Sequence, residues 1–276
     1  NTFKEQTGST VRFNNAYGIN KNIYGNTYID NVQQYISVNG ATLRYNGRRT
    51  WLADGVPYLL IEDLSINADN DPNWLAVLHI EEGTTLQMNE GVNISIGQND
   101  NSNFKGALQA NGVTFTRGVD NSDDRWEYIQ FTNYSSDDSS FIENSTIEYA
   151  DMGLFLSDAS PTITNTIFQH NQIGIENNGD SSPLITGNTF KEQTGSTVRF
   201  NNPYFINKNI YGNTYTDNVQ QYISVNGGTM DYHGRRTWLA DGVPYLLTGD
   251  IYVRAENDPN WLAVLHIKEG TTLQMN

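Results

Sequence analysis

Apolar and polar positions alternate along this chain in short bursts and almost nowhere follow a helical period. In Thr162-Ile163-Thr164 and Val198-Arg199-Phe200 successive side chains switch character, the two-residue period of a strand with one face buried. The bursts are three to six residues long and are separated by Asn, Gly, Asp and Pro, which favour turns. Ala, Leu, Glu and Lys gather in no window, so the pattern predicts strands throughout.

The bursts recur. Proline-led lines at Pro161, Pro183 and Pro203 can be stacked, and Asn-Thr-(Ile, Phe or Tyr) returns at Asn165, Asn188 and Asn213, with Ser145-Thr146-Ile147 as a variant. A second ladder runs through Gly153, Gly174 and Gly195. Steps of about twenty to twenty-five residues are too short for a strand–helix–strand unit and suit one rung of a parallel β-helix, with about three short strands and three turns. The expected fold is all-β, a right-handed parallel β-helix of about a dozen rungs forming an elongated rod, right-handed because parallel crossovers prefer that hand. Inward Ile, Val, Leu and Phe should form apolar columns along the axis. Asn at a fixed turn position should pass amide hydrogen bonds from rung to rung.

A longer period contains the short one. Residues 1–89 return as 188–276, a shift of 187, with roughly five in six positions identical. The chain thus reads as one continuous β-helix of about one and a half copies of a 187-residue unit, residues 90–187 being the remainder of that unit. The first copy runs on from Leu86 into Glu90-Gly91-Val92, which implies further units on both sides. A unit of roughly eight rungs spaced about 4.8 Å apart would advance on the order of 40 Å.

Residues 50–97 carry longer strands, with Trp51, Gly55-Val56-Pro57-Tyr58 and Glu82-Gly83-Thr84-Thr85-Leu86. With residues 106–115, 125–131 and 144–150, these lines resemble the pectin-lyase-like right-handed β-helix repeat proteins of bacterial and archaeal surfaces. The resemblance spans essentially the whole unit and implies a β-helix and an extracellular or cell-surface setting. It implies no single activity, since that superfamily holds lyases, hydrolases, epimerases, adhesins and inert stalks.

Composition narrows the partners. A net charge of −15 repels nucleic acid and anionic headgroups, so neither is an expected partner. Cysteine is absent, which excludes disulfides and thiolate metal sites. No run of eighteen apolar residues occurs, so no membrane insertion is expected in this segment, and the first residues do not resemble a signal peptide.

Candidate chemistry is sparse. The Gly-His-Gly of polygalacturonan hydrolases is missing, and Asp123-Asp124 and Asp137-Asp138 read as solvated turns. His79 and its copy His266 lie in Ala-Val-Leu-His-Ile and read as core-edge histidines, while His170 sits in a turn and His233 replaces Asn46. No catalytic and no cofactor-binding residue is therefore expected. Arg48-Arg49, repeated as Arg235-Arg236, could grip carboxylates or phosphates, or could pair with nearby acids such as Asp54. Calcium is the ion that the chain's oxygen donors suit, with Asp69, Asp71, Asp120, Asp123 and Asp124 as candidate ligands without EF-hand spacing.

Two functional readings follow. The first is a non-enzymatic structural or adhesive extracellular fibre or cell-surface filament, self-associating end to end or side by side. The second is a carbohydrate-binding or polysaccharide-degrading β-helix using Tyr17, Tyr45, Tyr134 and Trp126 as stacking platforms for a polysaccharide.

Overall fold

The computed structural model describes residues 1–98, 102–118, 124–255 and 260–275. The chain winds as a parallel β-solenoid of about ten turns. Among the described residues, the strands gather into a nine-stranded, a ten-stranded and a seven-stranded sheet, with three two-stranded sheets besides. Each turn lays strands parallel to those of the turn before, as in Thr85–Met88 beside Thr114–Arg117.

Alternation places the core. Thr162–Thr164 buries only Ile163, and Val198–Phe200 buries Val198 and Phe200 while Arg199 faces out. Stacked register then joins inward side chains into columns. In the ten-stranded sheet Leu64, Ile94, Ile129, Leu154, Ile175, Val198, Ile223 and Tyr245 follow one another, and every one is fully buried. Each such side chain contributes roughly 1.5–3 kcal/mol of burial. A parallel column in the nine-stranded sheet runs from Leu86 through Phe115, Ile147, Phe168 and Phe190 to Tyr215. Its last three rings stack with centroids 5.0 and 5.2 Å apart and their planes nearly parallel.

Three sequence expectations need correction. The rungs number about ten, because some turns are long: Ile94 pairs with Ile129, 35 residues on, whereas Leu154 pairs with Ile175, 21 residues on. The Asn-Thr motif at Asn165 is one residue out of step, since Ile167 pairs with Thr189 and Phe168 with Phe190, which sets Thr166 beside Asn188. Gly195 does not continue the glycine ladder. Ile175 pairs with Val198, so the residue above Gly174 is Thr197, and a Cβ on Gly174 would meet the Thr197 carbonyl oxygen at 2.4 Å.

The two copies of the long repeat fold alike. Val11 pairs with Ile36, Ile36 with Tyr58 and Gly47 with Ala76, and their counterparts Val198, Ile223, Tyr245, Gly234 and Ala263 pair in the same register. Yet equivalent strands lie in different sheets. Ser9–Phe13 opens the nine-stranded sheet, and its copy Val198–Phe200 belongs to the ten-stranded one. Seven successive pairings along the nine-stranded sheet lead from Ser9–Phe13 to Thr189–Lys191, and the chain must pass to the next face before the equivalent strand begins. Counted along the nine-stranded sheet the repeat is seven turns and a fraction, whereas the strand Gly47–Trp51 meets its copy Gly234–Trp238 after seven: six pairings lead from Trp51 to Ile210, and Lys208 N–H donates to the Thr237 carbonyl on the next turn, as Lys21 does to Thr50.

Candidate functional site

Polar side chains hold two corners. At the corner entering the nine-stranded sheet, backbone N–H groups donate to side chains one rung on: Val113 to Ser145 Oγ, Ser145 to Thr166 Oγ1, Thr166 to Asn188 Oδ1, Asn188 to Asn213 Oδ1 and Asn213 to Asp241 Oδ1. The amides reach the other way, Asn188 Nδ2 donating to the Ile163 carbonyl and Asn213 Nδ2 to that of Ile185. Asn171, Gln193 and Asn218 do the same at the next corner, on the carbonyls of Ile147, Phe168 and Phe190. The expected Asn ladder is thus present, and it recruits Ser, Thr and Asp as well. Each bond satisfies a buried backbone group that would otherwise be unpaired.

Asp241 ends the first ladder. Its carboxylate, 2% exposed, accepts from Asn213 N–H, Asn213 Nδ2 and the Tyr215 hydroxyl at 2.6 Å. Asp54 does the same for Asn26 and Tyr28. Burial pushes the Asp241 carboxyl above the usual carboxylate range, although the bonds from Tyr215 and Asn213 act in the opposite direction. A raised folded pKa means that the folded state holds this proton more tightly. The associated stability is fully present below the unfolded value of about 3.9 and is lost as pH rises through the raised one. Asp241→Asn is expected to flatten that decline, read as the difference between the two pH profiles of the thermal midpoint.

The paired arginines do not use Asp54. That carboxylate is already committed to Asn26 and Tyr28 from the previous rung. Instead the Arg49 guanidinium lies over the rings of Tyr17 and Tyr45, at 5.2 and 5.0 Å, and donates to the Tyr17 carbonyl. In the second copy Arg236 lies over Tyr204 and Tyr232, at 3.7 and 5.2 Å. Such cation–π contacts fix the planar guanidinium and contribute about 0.5–2 kcal/mol each. Tyr204, Asn207, Tyr232, His233, Arg235, Arg236 and Trp261 line an open cleft of about 280 Å³. His233 packs against Trp261 at 5.0 Å, and among the described residues the buried Arg236 Nε and Tyr232 hydroxyl have no hydrogen-bond partner. Among the described residues, none of Arg48, Arg49, Arg235 and Arg236 is in an ion pair.

A second surface feature is a column of left-handed residues. Tyr149, His170, Glu192 and Asp217 have φ of 62°, 57°, 54° and 54°, and Glu5 and Asp30 have 52° and 51°. Backbone bonds stack the first set: Tyr149 N–H donates to Gln169, His170 N–H to Lys191 and Glu192 N–H to Thr216. Arg117 lies 4.0 Å over Tyr149, Tyr149 stacks on His170, and His170 Nε2 meets Glu192 at 3.2 Å. Glu5 and Asp30 are the counterparts of Glu192 and Asp217 in the first copy.

The remaining predicted positions are scattered. His79 faces outward between the buried Leu78 and Ile80, and burial and then Arg48 lower its pKa. It lies on the outer face of its strand rather than at the core edge. Asp137 accepts the Ser160 N–H, and burial raises its carboxyl. Asp71 accepts from both nitrogens of Asn73 in its own turn, Asp69 and Asp124 are exposed, and Asp120 and Asp123 lie outside the described residues. Among the described residues no three His, Asp or Glu side chains converge where they could hold a metal ion. Trp126 is fully buried, with its Nε1 donating to the Glu148 carbonyl, so it belongs to the core and not to a stacking platform. The tyrosines of the arginine cleft were missed as partners because Tyr17 lies 32 residues from Arg49, and Tyr45, four residues away, sits in the turn before its strand. Only the equal 187-residue spacing of Tyr17, Tyr45 and Arg49 in both copies could have flagged them.

No helix among the described residues is long and apolar enough to cross a membrane. No protein-family model matches the chain, and no curated protein or solved structure matches it. What the fold itself defines is the class, a parallel β-solenoid built from tandem repeats.

Proposed function

We propose that the chain is part of a structural or adhesive extracellular or cell-surface fibre made of tandem β-helix repeats, with no catalytic role and with kinship to the right-handed pectin-lyase-like repeat proteins. One observation carries this reading. Two copies of a single sequence adopt the same strand register at opposite ends of the rod and in different sheets. A unit that rebuilds its own fold wherever it recurs can be lengthened without new contacts being invented, because each rung touches only its neighbours.

The expected result is growth in length alone. A chain extended by a further copy of residues 90–276 should appear in electron micrographs as a rod longer by about 35 Å, about seven turns at about 4.8 Å each. Compact or branched particles of unchanged length would count against the fibre.

A second reading, a carbohydrate-binding or polysaccharide-degrading β-helix, draws support from exposed aromatics. Trp261 and Tyr24 are 39% and 66% exposed, and such rings present flat faces on which sugars stack.

A further inference from the structure

The arginine–tyrosine cleft of the second copy presents donors with nothing to accept from them. Arg236 lies over the rings of Tyr204 and Tyr232, and its buried Nε has no partner among the described residues. Tyr232 is 4% exposed, and its hydroxyl is unpartnered too. Burial raises the Tyr232 pKa, although Arg236 acts in the opposite direction, so the phenol keeps a proton to donate. Asn207 spends its Oδ1 on the Thr237 N–H, which leaves Nδ2 as its donor. No Asp or Glu lines the cleft, and Asp231, the nearest acid along the chain, is held by Arg254 through two bonds of 3.0 Å. Buried donors left unmade are costly, and a ligand that accepts from them removes that cost.

The first copy repeats the arrangement. Arg49 lies over Tyr17 and Tyr45, the buried Tyr45 hydroxyl has no partner among the described residues, and Asn20 Oδ1 accepts the Thr50 N–H. The unmet donors therefore belong to the repeat and not to a single turn of it.

The donors also select the ligand. One guanidinium fork already satisfies the two oxygens of a planar carboxylate. Donors from Arg235, Arg236, Tyr232 and Asn207 together suit the three free oxygens of a tetrahedral ester. A phosphate ester would carry close to two negative charges at neutral pH onto a chain of net charge −15, whereas a sulfate ester carries one. The opening of about 280 Å³ falls below the roughly 300–1,000 Å³ of sites for drug-sized molecules, so it admits one ring with its substituent. Trp261, 39% exposed beside His233, offers that ring a flat face. Tyrosine rings already fix the guanidinium, so little rotamer freedom is lost on binding.

We infer that the arginine–tyrosine cleft of each repeat binds a sulfate ester carried on a sugar ring, with the oxyanion on the arginine and the buried tyrosine hydroxyl. This rests on the carbohydrate-binding reading, to which it gives a site and a ligand class, and is independent of the fibre.

Calorimetric titration of the 276-residue chain tests it, with one sugar as its 6-sulfate, its 6-phosphate, its uronic acid and its neutral form. The sulfate should bind at least tenfold more tightly than the other three. Tyr45→Phe with Tyr232→Phe should weaken the sulfate about tenfold, the effect of one hydrogen bond to a charged group. The same variant should keep or raise the thermal midpoint, because the lost hydroxyl had no partner in the fold. Arg49→Gln with Arg236→Gln should abolish binding. A uronic acid or phosphate bound as tightly as the sulfate overturns the inference, and so does a phenylalanine variant that binds unchanged or melts earlier. Two further outcomes separate the ideas. Sugars that bind the wild type and the arginine variant alike sink the sulfate site and keep the carbohydrate reading, and a chain that binds none of the four sinks both.

Discussion

Phe190→Ala is expected to cost the folded chain about 3–5 kcal/mol, the range for removing a large aromatic from a packed interior. Phe190 is fully buried and is the middle ring of three, stacked on Phe168 below and Tyr215 above. Its removal takes away two ring faces and leaves a cavity that rigid sheets on either side cannot close. The chain carries its own control. Phe3 is the same residue in the first copy, is only half-buried and stacks on Tyr28 alone. Phe3→Ala should cost about 1 kcal/mol. Urea unfolding followed by circular dichroism measures both, and equal costs would mean that the stack contributes nothing beyond area.

Asn188→Ala is expected to come next, at about 2–5 kcal/mol. The Asn188 side chain accepts from Thr166 N–H and donates to the Ile163 carbonyl, both at 2.9 Å in the interior. Truncation orphans one buried donor and one buried acceptor, each worth about 1–3 kcal/mol of desolvation. Asn1, its counterpart, donates to Asn26 in an exposed setting, so Asn1→Ala should be nearly neutral. The Thr166 amide should also exchange with solvent far faster in Asn188→Ala, and unchanged protection there would show that water or a neighbour replaces the ladder bond.

These pairs show what the sequence could and could not disclose. The fold was legible because strand alternation and the repeat agree: in Thr162-Ile163-Thr164 the single apolar side chain between two threonines is the one that turns inward. The ladder was legible in kind but not in register. Asn165-Thr166-Ile167 looks like Asn188-Thr189-Phe190, yet Phe168 must stack on Phe190, and that packing slides the motif by one residue. The number of turns was overestimated because the connections around Ile94 and Ile129 are long and the step was read from short rungs elsewhere. Partners from different rungs were the hardest to see. Asp54 lies five residues from Arg49 in sequence, but Asn26 and Tyr28 reach it first, and the arginine turns to tyrosines 4 and 32 residues away.

The strand that carries the paired arginines has a mechanical meaning for any array built from the repeat. From Trp51 six pairings lead through Ile80, Ala110, Ile142, Ile163 and Ile185 to Ile210, and the Lys208 amide close by donates to the Thr237 carbonyl of the next turn, so Gly234–Trp238 lies over Gly47–Trp51. The clefts of successive repeats therefore line up along one edge, as teeth do on a rack. Any partner that grips them meets them all from one side, and the material formed would be a ribbon with a working edge.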